Sequence, residues 1–286
     1  MKRLFTIMAV CCSAVVSSFA APVQCTGSSI AVFNKDLDHL SLHYDFSNDG
    51  DDLMSAGADR AVLETIYGTA FLATNVSRVG GTYGTVNKYY SGSESVQSKL
   101  WGDVGGQLLA KGGSAQSAPA ADAEFKLFRA VIERGGRVFV KEGGAGDFSM
   151  MVVKLLENWQ SDSGKCVYIT HHSYTNDKHY GAGVLSYLKA KTVYRKISDG
   201  NTALRKAKWR LNGRDFAHYA RSSRLECGWN AIFAEFKKQK TYCKGYIGKR
   251  VDQSKCVNFS DTHELLWNIQ LDTPSKSVTI NEFVQK

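Results

Sequence analysis

The chain has 286 residues, 43% of them hydrophobic, and carries a formal net charge of +9 from 36 Lys and Arg against 27 Asp and Glu. This length is ample for a sizeable core, and the scarcity of proline together with the absence of low-complexity runs and repeats argues for one compact domain. Basic residues are spread along the chain apart from a loose concentration over 189–249. Because no nucleic-acid-binding motif accompanies them, we interpret the charge as a solvated surface and expect no nucleic acid polymer as partner.

Residues Met1–Ala20 have the composition of a secretory signal peptide. Lys2 and Arg3 precede the apolar segment Leu4–Val16, which is followed by a small-x-small cleavage sequence. The apolar segment is too short to span a bilayer. We therefore predict an exported protein, periplasmic or secreted, with a single domain over 21–286 and no stable membrane anchor. Loss of the two basic residues leaves 34 basic against 27 acidic residues, a net charge of +7.

Five of the seven cysteines follow the predicted signal peptide: Cys25, Cys166, Cys227, Cys243 and Cys256. In an oxidising compartment this number predicts up to two disulfides and one free thiol. The last three cysteines lie close together in sequence. We expect a bridge among them, with the pairing left open.

An acidic cluster follows the first predicted strand. Leu42–Phe46 has the pattern of a short buried strand, and a helix is predicted from Leu53 because apolar residues then recur at helical spacing. Four carboxylates occupy the junction: Asp45, Asp49, Asp51 and Asp52. Carboxylates this close repel one another, and a hard divalent cation with oxygen ligands would relieve the repulsion. The alternative is that Asn48–Gly50 forms a turn and that the acids after it cap the helix.

Strand and helix patterns alternate through the middle of the chain. Strands are predicted over Phe71–Val76, Val138–Val140, Cys166–Thr170 and Thr192–Ile197. Helices are predicted over Ala121–Arg134, over Phe148–Trp159 with Asp147 as N-cap, and over Val184–Ala190. This order predicts an α/β fold with a mostly parallel, Rossmann-like sheet and helices on both faces.

Polar or Gly-rich clusters follow each of these strands. They are the acidic cluster, Gly80–Gly84, Glu142–Asp147, His171–Asp177 and Asp199–Asn201. Because the carboxyl ends of parallel strands meet at one edge of a sheet, these clusters would gather there. Five such clusters favour a functional site over ordinary loop composition.

The order of motifs resembles the nucleoside hydrolase superfamily, particularly its exported branch. The segments that carry the resemblance are DFSNDGDD, KEGGAGDFSMMVVKLL, THHSYTND, KISDGN and VNFSDTHELLW. Together they span Ser41 to about Trp267. The resemblance implies a Rossmann-like fold and hydrolysis of the N-glycosidic bond of a ribonucleoside or related glycoside, with bound Ca²⁺.

The resemblance also implies roles for individual acids. Asp51 and Asp52 match the Asp pair of the family's first motif, of which the first contacts the ribose and the second binds the metal. The family's catalytic base lies four residues earlier, where this chain has Ser47. Asp45 or Asp49 supplies that carboxylate, or it is absent. The late metal-binding Asp corresponds to Asp261.

Substrate-binding residues follow from the same motifs. The sugar-binding Asn corresponds to Asn176, with Asp177 where a Glu is usual, and the remaining candidates are Glu142, His172 and Asn201. The leaving base needs a proton donor, for which His172, His179 and His263 are candidates. The family often has a His directly before the late Asp, where this chain has Ser260.

Other functions are compatible with the same residues. A protein of the same fold that binds a carbohydrate or nucleoside-like ligand without catalysis is favoured by Ser47. Glu142 paired with the acidic cluster would suit a two-carboxylate glycosidase. A zinc site at His171, His172 and His179 is disfavoured, because no paired ligand spacing supports it and because the His171 and His172 side chains at a strand end are expected on opposite faces. A secreted effector acting through the basic C-terminal third is a weaker alternative, and the sequence leaves a homo-oligomer open.

Overall fold

The computed structural model describes residues 25, 31–46, 51–82, 91–102, 104–110, 114–172, 177–199, 225–238 and 259–271. Within these residues, six strands form one sheet in which every neighbouring pair is parallel. Separate hydrophobic cores cover its two faces. The predicted Rossmann-like α/β fold is therefore confirmed.

The strands run outward from the middle of the sheet in two directions. They are β1 (His39–Tyr44), β2 (Val76–Gly80), β3 (Gly106–Leu109), β4 (Val138–Glu142), β5 (Val167–His171) and β6 (Val193–Lys196), in the spatial order β3-β2-β1-β4-β5-β6. The order reverses between β1 and β4. A crevice for ligands opens at such a reversal, beyond the carboxyl ends of the two strands.

Helices occupy both faces of the sheet. They are α1 (Asp51–Tyr67), α2 (Thr69–Asn75), α3 (Ser91–Trp101), α4 (Ser114–Glu133), α5 (Asp147–Trp159), α6 (Val184–Lys191), α7 (Glu226–Lys238) and α8 (Thr262–Asn268). Side chains of α1, α2, α3, α7 and α8 enter one core, and those of α4, α5 and α6 enter the other. Both faces of the sheet are thus buried, and every residue of β1 and β4 is buried.

Strand β1 carries polar side chains on its α4 and α5 face. His39 Nε2 lies 3.0 Å from Ser77 Oγ, and the Ser77 hydroxyl donates to Glu124 at 3.0 Å. The Ser41 hydroxyl also donates to Glu124 and lies 3.0 Å from His43 Nε2. These buried polar groups are hydrogen-bonded to one another, which offsets the cost of removing them from water.

The predicted strand over Phe71–Val76 is wrong. Helix α2 covers Thr69–Asn75, and β2 begins at Val76. Phe71 packs against Tyr67, with 4.5 Å between ring centroids, so its apolar character serves a helix. A short apolar run does not separate a strand from a helix, and the contacts made with neighbouring elements decide between them.

Strand β2 was not predicted, because the buried Arg78 interrupts its apolar pattern. The Arg78 guanidinium donates to the Gly105 carbonyl at 2.6 Å and lies 4.9 Å from the ring centroid of Trp101. Strand β3 and helices α3 and α7 were not predicted either. The other predicted elements are present, with boundaries shifted by a few residues. Helix α4 ends at Glu133, and Gly135 follows it as expected, with a φ of +83° that glycine readily adopts.

The prediction of Asp147 as the N-cap of α5 is wrong. Gly146 occupies that position, and Asp147 is the first residue of the helix. The Asp147 carboxylate instead accepts the main-chain N–H of Gly181 at 3.0 Å. It therefore fastens the start of α5 to the segment that precedes α6.

A disulfide joins Cys25 to Cys166, which lies directly before β5. Cys227 is free and exposed on α7, so the expected bridge among the late cysteines does not include it. Cys243 and Cys256 lie outside the described residues. The disulfide fixes Cys25 to the start of β5 across 141 residues of sequence.

The signal-peptide prediction falls outside the residues that the structure describes. Export, and the domain boundary at 21, therefore stay predictions. Among the described helices, none combines the length and apolar character needed to cross a membrane.

Replacing Cys25 and Cys166 with Ser should lower the free energy of unfolding by about 2–4 kcal/mol, since the bridge closes a long loop and restricts the unfolded chain. Urea unfolding of the oxidised protein measures this loss. Cys227→Ser is the matched control and should unfold like the wild type. Equal stability of the double variant and the wild type would show that the bridge contributes nothing.

Candidate metal-binding site

The candidate site lies at the reversal of strand order, beyond the carboxyl ends of β1 and β4. Asp45 follows β1, and α1 begins with Asp51 and Asp52. Asp261 comes from the other end of the described chain and directly precedes α8. Helix α8 is docked on α1, where the Thr262 hydroxyl donates to the Ser55 carbonyl at 3.4 Å.

Asp51, Asp52 and Asp261, here called the acidic trio, converge on one point. One carboxylate oxygen from each lies within 4.8 Å of the others. Asp52 and Asp261 are each only 4% exposed. Among the described residues, this is the one group of His, Cys, Asp and Glu side chains with the spacing to hold a metal ion.

Two oxygens of the trio have no hydrogen-bond partner among the described residues: Asp52 Oδ1 and Asp261 Oδ2. The second oxygen of Asp52, Oδ2, accepts the main-chain N–H of Asp45 at 3.2 Å. Buried carboxylate oxygens ordinarily have partners, and an unpaired one costs free energy. The unpartnered oxygens therefore indicate a ligand.

The raised pKa values of Asp52 and Asp261 also indicate a ligand. Burial raises the pKa of Asp52 well above its usual value, and the nearby charges of Asp45 and Asp261 raise it further. Burial also raises the pKa of Asp261 to about 7, while the positive charges of His172 and Lys141 oppose the rise. Carboxyls in this state retain protons near neutral pH unless a cation lies beside them.

The capping alternative accounts for only part of this geometry. Asp51 Oδ1 accepts the N–H of Asp52 at 3.1 Å, as a residue at a helix start can. Asp52 instead turns back toward Asp45, and its other oxygen is unpartnered. Capping leaves that orientation unexplained.

The loop after β4 packs directly on these acids through two glycines. A Cβ added to Gly143 would lie 2.7 Å from Asp52 Oδ1, and one added to Gly144 would lie 2.0 Å from the Thr82 carbonyl oxygen. No larger residue fits at either position without displacing the backbone or the acid. The Gly-rich clusters after β2 and β4 therefore do meet the acidic cluster, as the sequence predicted.

A buried lysine lies beneath the trio. Lys141 Nζ is 2.8 Å from Asp59 Oδ2, which also accepts the Tyr44 hydroxyl at 2.7 Å, and both charged side chains are fully buried. Burial alone would lower the pKa of Lys141, but the negative charges of Asp59, Asp261 and Asp52 raise it. Lys141 thus stays charged and offsets part of the trio's repulsion.

His172 links the trio to a fourth buried acid, Glu264. Its Nε2 lies 3.3 Å from Asp261 Oδ1, and its Nδ1 lies 3.0 Å from Glu264 Oε1. Burial lowers the pKa of His172, but the charge and hydrogen bond of Glu264 together with the charge of Asp261 outweigh burial, and the pKa rises. His172 also lies 3.9 Å from Asp199.

His171 forms a neighbouring cluster. Its Nε2 is 3.2 Å from Asp177 Oδ1, and its Nδ1 is 2.9 Å from the Glu142 carbonyl oxygen. The Asp177 carboxylate also pairs with Lys196. The expectation that His171 and His172 point to opposite faces is wrong, since the Nδ1 atoms of both lie within 3.8 Å of Glu264 Oε1. His172 lies just beyond the last residue of β5, where strand alternation no longer applies.

Glu142 faces away from the trio. Its fully buried carboxylate accepts the Ser149 hydroxyl of α5 and lies 3.3 Å from His43 Nδ1. Lys141, the preceding residue of β4, faces the α1 and α8 side. Because successive strand residues alternate, the Glu142 side chain lies on the other side of the sheet, which disfavours the glycosidase pair.

The structure thus brings together four of the predicted acids and one histidine: Asp45, Asp51, Asp52, Asp261 and His172. It places Asp177 beside His171 and Glu142 against α5. Three further candidates lie outside the described residues, namely Asp49, Asn176 and Asn201, as does most of the basic C-terminal region.

Sequence reasoning missed three residues around the site: Asp59, Lys141 and Glu264. A sequence signal existed for Lys141, since a lysine directly follows three apolar residues within the strand VFVKE. Glu264 follows Asp261 by three residues, a spacing that places both on one helical turn. The partners of these residues are distant in sequence, and no local pattern gives them.

Comparison of the chain with protein-family models, curated proteins and solved structures found no significant match. The resemblance to nucleoside hydrolases therefore rests on the sequence motifs alone.

The ion pair of His171 predicts a dependence of stability on pH. Burial lowers the pKa of His171, but the hydrogen bond with Asp177 and the charge of Glu264 raise it to about 9, above its ordinary value of 6.5. Protonated His171 therefore stabilises the folded state fully below pH 6.5, and this stabilisation is lost as the pH rises through 9. A change on the order of 3 kcal/mol in the free energy of unfolding corresponds to this shift.

Urea unfolding between pH 6 and 10 should show a shallower pH dependence in His171→Gln than in the wild type. His39→Gln is the control. The pKa of His39 is lowered to about 3, mainly by burial, so His39 is neutral throughout this range. An unchanged slope in His171→Gln would contradict the assignment.

Proposed function

We propose that this chain is an exported hydrolase of N-glycosidic bonds, acting on a ribonucleoside or related glycoside with Ca²⁺ bound at the acidic trio. The observation that carries the proposal is the meeting of Asp52 and Asp261, each buried and each with an unpartnered oxygen, where the strand order reverses. The order of sequence motifs supports the reaction class, and the disulfide is compatible with an oxidising compartment.

The donor set fits calcium. All three side chains offer carboxylate oxygens, which hard cations prefer. Oxygens within 4.8 Å of one another can share an ion, because Ca²⁺–oxygen distances are about 2.3–2.6 Å. Asp51, Asp52 and Asp261 would hold the ion, with Lys141 limiting the negative charge behind them.

The neighbouring residues fit the reaction. When bound, Ca²⁺ supplies a Lewis acid that lowers the pKa of a water molecule and orients hydroxyl groups of the sugar. The main-chain N–H of Asp45 donates to Asp52 Oδ2 at 3.2 Å, and the Asp45 carboxylate would serve as the base that accepts a proton from the attacking water. The carboxylates of the trio favour the positive charge that develops at the sugar C1′ in the transition state. Of the three candidate proton donors, His172 contacts Asp261 directly.

One observation favours a second function of the same site. Ser47 stands where the nucleoside hydrolases have the catalytic base. If Asp45 does not replace that base, the site would bind a carbohydrate or nucleoside-like ligand without cleaving it. The partner in either case is a small glycoside or nucleoside.

Calorimetric titration should show one Ca²⁺ ion bound by the wild type and an affinity at least about 100-fold lower in Asp52→Asn, since the variant loses a charged ligand. Asp36→Asn, which alters an exposed acid paired with Lys35, is the control and should bind Ca²⁺ normally. Without Ca²⁺, Asp52→Asn should be at least as stable as the wild type, because it removes a buried carboxyl repulsion. Equal Ca²⁺ affinity in wild type and Asp52→Asn would remove Asp52 from the site.

Incubation with inosine, uridine and a panel of synthetic glycosides should release free base or aglycone in the presence of Ca²⁺, measured by chromatography. Asp45→Asn should lose at least about 100-fold in kcat, the contribution of a general base, while retaining Ca²⁺ binding. Binding of these compounds by the wild type without any release would favour the non-catalytic function.

A further inference from the structure

Glu264 makes two contacts with His172 through a single oxygen. Glu264 Oε1 accepts the main-chain N–H of His172 at 2.8 Å and lies 3.0 Å from the ring Nδ1. Both side chains are buried, with at most 1% exposure. The two contacts hold the backbone and the ring of His172 together, so the direction of the ring is fixed.

The opposite edge of the ring faces the acidic trio. His172 Nε2 lies 3.3 Å from Asp261 Oδ1, whereas Asp261 Oδ2 is unpartnered among the described residues. This contact is an ion pair without hydrogen-bond geometry, since His172 Nε2 has no hydrogen-bond partner among the described residues, and it leaves the other carboxylate oxygen for a ligand. Glu264, His172 and Asp261 form a continuous chain of contacts that ends at the trio.

Helix α8 makes this arrangement rigid. Asp261 directly precedes the helix and Glu264 lies in its first turn, so one backbone segment carries both acids to the two edges of the same ring. The Glu264 N–H also donates to the Asp261 carbonyl at 3.3 Å. A carboxylate held in one orientation loses less conformational entropy when it binds an ion than a freely rotating one does.

We propose that Glu264 is a positioning residue for the metal site, acting through His172 to hold the Asp261 carboxylate with its Oδ2 toward the trio. The inference rests on the proposed Ca²⁺ site and assigns a role to an acid outside it. Residues that orient metal ligands typically contribute 10–100-fold to metal affinity. Glu264 and His172 should contribute within that range, and through one shared path.

Calorimetric Ca²⁺ titration of four proteins tests this: wild type, Glu264→Gln, His172→Ala and the double variant. Each single variant should bind Ca²⁺ about 10–100-fold more weakly than the wild type. The Ca²⁺ affinity of the double variant should be no lower than that of the single variant that binds Ca²⁺ more weakly, because both substitutions interrupt the same series of contacts from Glu264 to Asp261. Additive losses would show that Glu264 does not act through His172.

Glu124→Gln is the matched control. Glu124 is also fully buried and hydrogen-bonded, but its partners Ser41 and Ser77 lie on the other face of the sheet. It should therefore keep wild-type Ca²⁺ affinity even if it loses stability to the same degree as Glu264→Gln. Equal weakening in both would indicate a general effect of instability and overturn the inference.

The outcomes separate this inference from the proposed function. A wild type that binds Ca²⁺ while Glu264→Gln binds it equally well would overturn the positioning role alone. A wild type without Ca²⁺ binding would overturn the proposed site and the positioning role together. If Glu264→Gln does not fold, His172→Gln provides the test, since it keeps the main-chain contact to Glu264 and should still bind Ca²⁺ about 10-fold more weakly.

Discussion

The burial of like-charged carboxyl groups in one small volume is the constraint on which this structure depends. Asp52 and Asp261 lie almost entirely out of water, with Asp45 and Asp51 beside them. Removing a carboxylate from water costs several kcal/mol unless a partner compensates, and mutual repulsion adds to that cost. Retaining such a cluster in the core lowers the free energy of unfolding, and a local loss of stability of this kind is typical of functional sites.

The surrounding structure limits the cost without eliminating it. Lys141 supplies a positive charge from beneath, and His172 supplies another from the side. Gly143 allows the backbone after β4 to approach Asp52 at a distance that no side chain would tolerate. Two carboxylate oxygens of the acidic trio, Asp52 Oδ1 and Asp261 Oδ2, nevertheless have no hydrogen-bond partner among the described residues. The fold thus offsets part of the electrostatic cost through its own side chains, and the proposed Ca²⁺ ion would offset the remainder.

The centre of the sheet was predictable from sequence, whereas much of its periphery was not. Val138–Val140 is continuously apolar, and a strand buried on both faces requires that pattern. Strand β2 was misplaced because Phe71 belongs to a helix and because Arg78 interrupts the apolar run while remaining buried. Tertiary contacts override local preference at both positions.

The candidate site was likewise predictable from sequence only in part. The acids at the start of α1 were recognisable from their density in sequence, and the resemblance to a known family pointed to Asp261. The supporting groups were not recognisable, because Lys141 pairs with Asp59 and Glu264 pairs with His172 across 82 and 92 residues of sequence. Pairings of this length depend on the packing of helices against the sheet, which single-sequence patterns do not specify.

The docking of α8 on α1 joins parts of the chain that are 207 residues apart, as the Thr262 to Ser55 hydrogen bond shows. A ribosome that has synthesised the first two hundred residues has therefore produced all six described strands but still lacks Asp261, one of the four acids that converge at the edge of the sheet. The acidic trio therefore cannot form until the segment that contains Asp261 and α8 has been synthesised. A truncation between Lys196 and Asp261 would keep the sequence of all six strands and yet abolish the convergence.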